Sequence, residues 1–242
     1  MSKIIAISGF KNAGKSTVAS ILKFLLNTPK IFHSYFFYKH QKLIPKKKLY
    51  KTIAFADPIK EMLSCLLNMD RWEFESRNIK ENCIVCLKNL SKIYTNGYDV
   101  EAYNLLSDSK FSKIAKEWNP ELSKQYYLSI RQVMQLFGTE IMRNTIDDKI
   151  WINCVLNRSY NQNLIISDLR FITEYEEIKN RNGFIIYIDR GLTPGLHKSE
   201  SEMQTLLNQN KFDLIIDNKN ISLKELFNLL KANLNKIKND YN

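Results

Sequence analysis

Eight residues into the chain stands Gly9-Phe-Lys-Asn-Ala-Gly14-Lys15-Ser16, a complete G-x-x-x-x-G-K-S element. No other stretch restricts the fold as strongly, because the motif needs a strand before it and a helix after it. Both are present in pattern. Lys3-Ile-Ile-Ala-Ile-Ser8 is a short apolar run that reads as a buried parallel strand. Residues 15–26 set Val18, Ile21, Leu22 and Leu25 on one helical face. Between them, glycines let backbone N–H groups curl around phosphate oxygens, and the helix adds its positive N-terminal end. Gly9, Lys11, Asn12, Ala13, Gly14, Lys15, Ser16 and Thr17 are therefore candidate contacts to a nucleoside triphosphate. Lys15 is expected to reach the β- and γ-phosphates and Ser16 to hold Mg²⁺.

Further along, strand-like runs recur. Thr52–Ala56, Asn163–Asp168, Phe184–Asp189 and Phe212–Asp217 are apolar segments ending in polar residues. They alternate with helical patterns at 129–144, 147–159, 174–181, 199–209 and 222–238, and Asp57-Pro58 has the chemistry of an N-cap followed by a first helical residue. This predicts an α/β fold of three layers, with a five-stranded parallel sheet, helices on both faces and a helical lid or insertion. One domain is expected over 1–242. It carries a basic insertion at 28–50, with aromatics at 32–38 and the run Lys46-Lys47-Lys48, and a polar helical substrate-binding or lid insertion at 70–128. Ligands in such sheets collect at the carboxyl ends of the strands. Those ends carry Ser8/Gly9, Asp57, Asp168, Asp189/Arg190 and Asp217/Asn218.

Composition matters at two points. With 36 Lys+Arg against 25 Asp+Glu the formal charge is +11, which favours anionic partners, whether nucleotides, nucleic acid or a membrane surface. No apolar run is long enough for a membrane span and no leader pattern precedes the first strand, so a cytoplasm-like compartment with reduced thiols is expected. Cys83-x-x-Cys86 lacks a second ligand pair, and Cys65 and Cys154 do not supply one, so no metal is expected there.

The remaining polar landmarks narrow the chemistry. Neither a D-x-x-G switch nor an N-K-x-D guanine motif occurs, which argues against a GTPase. Phosphoryl transfer to a small acceptor needs cations around the transferring group. Arg170 lies just beyond the strand ending in Asp168, Arg190 ends the next strand, and Arg131 opens Arg131-Gln-Val-Met-Gln135-Leu-Phe-Gly138-Thr139-Glu140. Asp168 is a candidate to orient Mg²⁺ or the acceptor, the alternative being a helix cap. Arg143 and Arg158, within helices, read as surface residues. Ser199-x-x-Glu202 reads as a capping box beside His197.

Taken in order, SGFKNAGKST, FADPIK (55–60), RQVMQLFGTE (131–140), Trp151, ISDLRF (166–171), HKSE (197–200) and DLIIDNKNISLKEL (213–226) resemble the deoxynucleoside monophosphate kinases of large tailed bacteriophages. The resemblance spans nearly the whole chain and is weakest at 28–50 and 70–128. It implies transfer of the γ-phosphate of ATP, with Mg²⁺, to a deoxynucleoside monophosphate. Lys15, Arg131, Asp168 and Arg170 would then be the catalytic residues. Arg190 joins the loop in holding ATP, and Ser16 and Asp168 are the metal ligands. Asp57, Lys60, Arg131, Gln135, Gly138, Thr139, Trp151, Asp168, Arg170, His197 and Glu200 would meet the acceptor. A buried core role for Trp151 stands equally open. The resemblance also implies a homodimer, and a host cytoplasm if the chain is viral; neither a membrane nor a nucleic-acid partner is expected. Where phage loops often carry an acid after the lysine, this chain has Ser16. Two alternatives stay open: a kinase for another phosphorylated acceptor such as phosphomevalonate, and a nucleic-acid-stimulated NTPase using the Lys- and aromatic-rich 32–51 segment.

Overall fold

The computed structural model describes residues 2–44, 47–86, 92–94, 127–193 and 198–239. The chain divides into two compact units, residues 1–55 with 152–242, and residues 56–151.

The first unit is built on five parallel strands, β1 (Ile4–Ser8), β2 (Tyr50–Ile53), β6 (Asn163–Leu169), β7 (Phe184–Asp189) and β8 (Leu214–Asp217), in the spatial order β2-β6-β1-β7-β8. β1 is central and buried at every position, as a run of apolar residues between two parallel neighbours must be. Side chains alternate across the sheet. Ile5, Ile7, Ile165, Ile186 and Ile188 enter one core with the helices Lys15–Asn27 (α1), Leu223–Ala232 and Leu234–Asn239. Ile4, Ala6, Leu164, Ile166, Ile185 and Tyr187 enter a second core with residues of helices Ile150–Arg158, Ile172–Asn180 and Lys198–Asn208. These are the three layers expected from the alternating pattern.

Three local differences have physical causes. β2 sits two residues earlier than the apolar run Thr52–Ala56, because the Phe55 N–H donates to the Asp168 carboxylate (2.7 Å) and leaves the ladder. The 28–50 segment does not simply loop through solvent. It forms 3₁₀ turns at Lys30–Phe32 and Gln41–Leu43 and a five-residue helix, α2 (Tyr35–Lys39), capped by the Ser34 hydroxyl. Its aromatics anchor it: Tyr38 packs on Phe24 (5.6 Å) and Phe227 (5.5 Å), and Tyr35 on Phe227 (6.1 Å). Finally, the C-terminal amphipathic pattern is two helices that meet at Asn233.

In the second unit, α3 (Asp57–Leu67) is capped by Ala56, so Asp57 stands inside its first turn and not at the cap. Within the expected helical stretch 70–128, the turn Arg71–Phe74 and helix α4 (Arg77–Asn82) are joined by strands β3 (Cys83–Cys86), β4 (Lys92–Tyr94) and β5 (Tyr127–Ser129) in an antiparallel sheet, order β4-β3-β5. Helix α5 (Ile130–Gln135), with a Ser129/Gln132 capping box, continues as a π-helical stretch over Leu136–Ile146. There the Gly138 carbonyl also accepts from the Trp151 indole (2.7 Å), the kind of side-chain intrusion that widens a helix. Arg143 is buried, contrary to the surface position read from its helix, because it shares a face with buried Gly138 and Thr139 one turn earlier.

Among the described residues no helix is long and apolar enough to cross a membrane.

Candidate functional site

β1 delivers the chain into the loop at the carboxyl edge of the sheet. Gly9 has φ 141° and Gly14, the N-cap of α1, φ 102°. These values favour glycine, and so does the space. A Cβ on Gly9 would stand 2.7 Å from the Ile188 carbonyl oxygen, and one on Gly14 2.8 Å from the Asn218 amide nitrogen. The glycines of the motif are therefore required by the neighbouring strand ends as well as by any ligand.

Loop carbonyls are tied from two directions. Arg190, exposed, donates to the Asn12 carbonyl (3.0 Å), and the Asn218 side chain donates to the Ala13 carbonyl (2.9 Å). Asn218 is held by its own N–H to the Asp189 carbonyl (2.6 Å), a consequence of the β7–β8 register that pairs Asp189 with Asp217. The Asp189 carboxylate accepts from Lys219 (2.6 Å) and from the Gly191 N–H (2.8 Å), and these contacts keep it ionised below the usual range.

Lys15 is the electrostatic centre. Its ammonium is buried and donates to the Gly9 and Phe10 carbonyls at 2.5 and 2.7 Å. Desolvation first, then the Arg170 charge, push its pKa down from 10.5 to about 7, against the opposing pull of Asp168 and Glu200. So Lys15, Asp168, Arg170 and Glu200 lie within electrostatic reach of one another. Glu200 is buried, and one of its carboxylate oxygens accepts the Lys11 N–H (3.0 Å). Ser16 is exposed on the first turn of α1 and Thr17 is half-buried.

Arg170 is presented by a turn that Glu174 shapes. The buried Glu174 carboxylate accepts from the N–H groups of Arg170 (2.7 Å) and Phe171 (3.1 Å). The cap of this helix is thus Glu174 reaching back, while Asp168 accepts from Phe55. Glu202, read as part of a capping box, has an oxygen on the Ile172 N–H (2.8 Å). His197 lies outside the described residues.

Besides Asp168, Arg170 and Glu200 of the first unit, the expected acceptor residues Asp57, Lys60 and those from Arg131 to Trp151 fall in the second unit and form two groups there. Lys60 is buried and pairs with Glu75 (2.9 Å) and Asp57 (3.5 Å); Arg71 bonds the same two carboxylates at 2.6 and 2.5 Å. Desolvation would raise the Glu75 pKa, but the Lys60 and Arg71 contacts prevail and lower it. Arg71 and Glu75 stand at the common i,i+4 surface spacing, and their pairing with Asp57 and Lys60 on a separate element leaves no local pattern. In the other group Arg131 pairs with Glu81 (3.3 Å), and its Nε is buried without a hydrogen-bond partner among the described residues. Gln135 is half-buried and Thr139 is buried. Gly138 packs so closely on α3 that a Cβ would come 2.8 Å from Ile59. Trp151 is buried, with its N–H on Gly138. Cys83 is buried in the core of this unit.

The family model for deoxynucleotide monophosphate kinase matches residues 67–230. The chain belongs to the deoxynucleotide monophosphate kinase family. The match includes Asp168, Arg170, Glu200 and Asn218 and begins beyond the loop at 9–16. This kinase is also 24% identical over 142 residues to a protein of Acanthamoeba polyphaga mimivirus provisionally named as a deoxynucleotide monophosphate kinase, an alignment covering 51% of this chain and 70% of that one.

Proposed function

We propose that this kinase transfers the γ-phosphate of ATP to a deoxynucleoside monophosphate, giving the diphosphate. The observation that carries the reading is the setting of Lys15. A buried ammonium held on two loop carbonyls, with its pKa near 7, gains most when a polyanion arrives beside it. The bare backbone demanded at Gly9 and Gly14 keeps the loop's N–H groups open to phosphate oxygens.

The residues present also fit a magnesium ion. The Ser16 hydroxyl and the Asp168 carboxylate are hard oxygen donors of the type it takes, and these two would hold it. Bound there, it would offset charge on the β- and γ-phosphates.

The chain's own part is positioning and electrostatics, since phosphoryl transfer asks little covalent chemistry of the protein. Lys15 follows the charge of the γ-phosphate, and Arg170, fixed by the Glu174-bound turn, draws charge from the transferring group. Arg190 and Asn218 hold the loop in shape through the Asn12 and Ala13 carbonyls. Arg131, Gln135, Gly138 and Thr139 are assigned to the acceptor, with Asp57 and Lys60 supporting it. Trp151 supports Gly138 through its indole bond.

The test is a coupled assay of the purified chain with ATP, Mg²⁺ and each deoxynucleoside monophosphate in turn. Formation of at least one deoxynucleoside diphosphate is the expected result. Failure with all of them, with turnover of phosphomevalonate or ATP hydrolysis stimulated by single-stranded DNA, would sink the reading in favour of those activities.

A further inference from the structure

We propose that the kinase carries a second polyanion site, a basic surface at the amino ends of its parallel strands that binds single-stranded nucleic acid. The positive charge of the chain is unevenly placed. Residues 1–55 contain eleven lysines and neither aspartate nor glutamate, so they hold the whole formal charge of +11, and the rest of the chain is balanced. Only Lys11 and Lys15 of these belong to the phosphate loop.

Most of the others gather at the opposite edge of the sheet. Lys3 immediately precedes β1, and its ammonium donates to the Lys238 carbonyl (3.0 Å). Lys238 is desolvated and feels the charges of Lys30 and Lys3; His33 is desolvated and feels Lys238 and Lys231. The N–H of Lys47 donates to the Asn27 carbonyl (2.7 Å), and the N–H groups of Leu49 and Tyr50 to the Asn27 side chain, which ties the 47–50 stretch to the end of α1. Lys51 is exposed on β2, an edge strand. The loop follows β1 whereas this cluster precedes it, and at about 3.3 Å per residue the five residues of the strand keep them roughly 16 Å apart. These lysines are too far away to serve the nucleotide of the loop.

Among the described residues Lys30, Lys39, Lys42, Lys47 and Lys48 are exposed and make no ion pair. Like charges brought together by a segment that contains no acid raise the local potential and favour a multivalent anion. Beside them stand exposed flat rings. Phe36 is 65% exposed with the His40 ring 4.6 Å away, and Lys39 lies over Tyr35 at 5.5 Å. The open Phe36 and His40 rings, set among lysines, suit unpaired bases on a phosphate backbone. A bilayer would instead want a long amphipathic helix, and α2 has five residues.

The test is fluorescence anisotropy of the full chain with a labelled oligo-dT of about 20 nucleotides, from about 50 to 200 mM salt, with and without a non-hydrolysable ATP analogue. Binding is expected to persist with the analogue present. Its log–log salt slope should be about −0.7 per phosphate neutralised, and the triple variant Lys30→Ala/Lys47→Ala/Lys48→Ala should lose roughly 2 from that slope. Phe36→Ala, which removes an exposed ring and leaves the core intact, should weaken binding about tenfold. Both variants should keep wild-type phosphoryl transfer. Absence of binding at low salt, displacement by the analogue, indifference to the Phe36 variant, equal affinity for a duplex, or capture by phosphatidylserine vesicles in place of oligo-dT would each overturn the proposal.

Discussion

If Lys15 is neutralised by its surroundings and recharged by a bound triphosphate, then nucleotide binding must take up a proton. The free chain holds this group near 7, down from 10.5. At pH 8 about 90% of the Lys15 side chains would be neutral, and a polyphosphate alongside would return nearly all of them to the ammonium form. Uptake should therefore be about 0.9 proton per ATP at pH 8 and about 0.5 at pH 7. Affinity should fall about tenfold for each pH unit between 7.5 and 9, a range in which the terminal phosphate of ATP is itself already ionised. The assay is isothermal titration of a non-hydrolysable ATP analogue in two buffers of different ionisation enthalpy, where the difference in heat gives the protons. Lys15→Met should bind more weakly and take up none. The linked stability has a definite sign. A lysine whose pKa is lowered by folding costs stability in full below about 7, and the penalty fades as pH rises toward 10.5. Its full size is on the order of 5 kcal/mol. The unliganded wild type should gain Tm from pH 7 to 9, and Lys15→Met should have the higher Tm at pH 7. Zero or negative proton uptake at pH 8 would refute the reasoning.

Four further outcomes are expected. Arg131→Ala should raise KM for the monophosphate far more than KM for ATP, and equal effects would count against its acceptor role. Trp151→Phe should cost about 1 kcal/mol in urea unfolding by removing the indole bond to the Gly138 carbonyl, with an unchanged KM for the monophosphate; a KM that rises would show the ring meeting the base. Gly9→Ala should destabilise the chain by more than about 2 kcal/mol and abolish turnover, because its Cβ would meet the Ile188 carbonyl at 2.7 Å; normal activity would show that the loop can shift. Arg71→Ala should cost only about 0.5–1 kcal/mol in the same unfolding assay, since Asp57 and Glu75 are partly solvated and retain Lys60.

The five strands of the parallel sheet were readable because strands buried on both faces are continuous apolar runs, and the loop because its chemistry is local. Arg170 and Asp168 were readable for the same reason, as polar residues that end such a run. What escaped depends on partners far along the chain. Asn218 was legible as a strand-end residue, but its bond to the loop was not, because only the β7–β8 register sets it beside Ala13. The strand Cys83–Cys86 is short, and its partner at Tyr127–Ser129 is distant in sequence, so nothing local marked it. The basic insertion at 28–50 gave no sign in its pattern of the packing of Tyr35 and Tyr38 on Phe227, a partner far along the chain. Glu174 entered only as the start of the helical pattern 174–181, and its two backbone bonds explain why Arg170 is fixed and Asp168 is left to meet Phe55.

The central position of β1 has a consequence for synthesis. β1 is buried on both sides, and its neighbour β6 starts about 160 residues later, where Asn163 accepts the Lys3 N–H. At typical elongation rates its isoleucines wait roughly 10–30 s for that partner. During that wait Ile4, Ile5 and Ile7 have no sheet to join. The nascent chain is then at its most vulnerable to misassociation, and a chaperone that shields β1 until β6 is made would help this kinase more than one acting later.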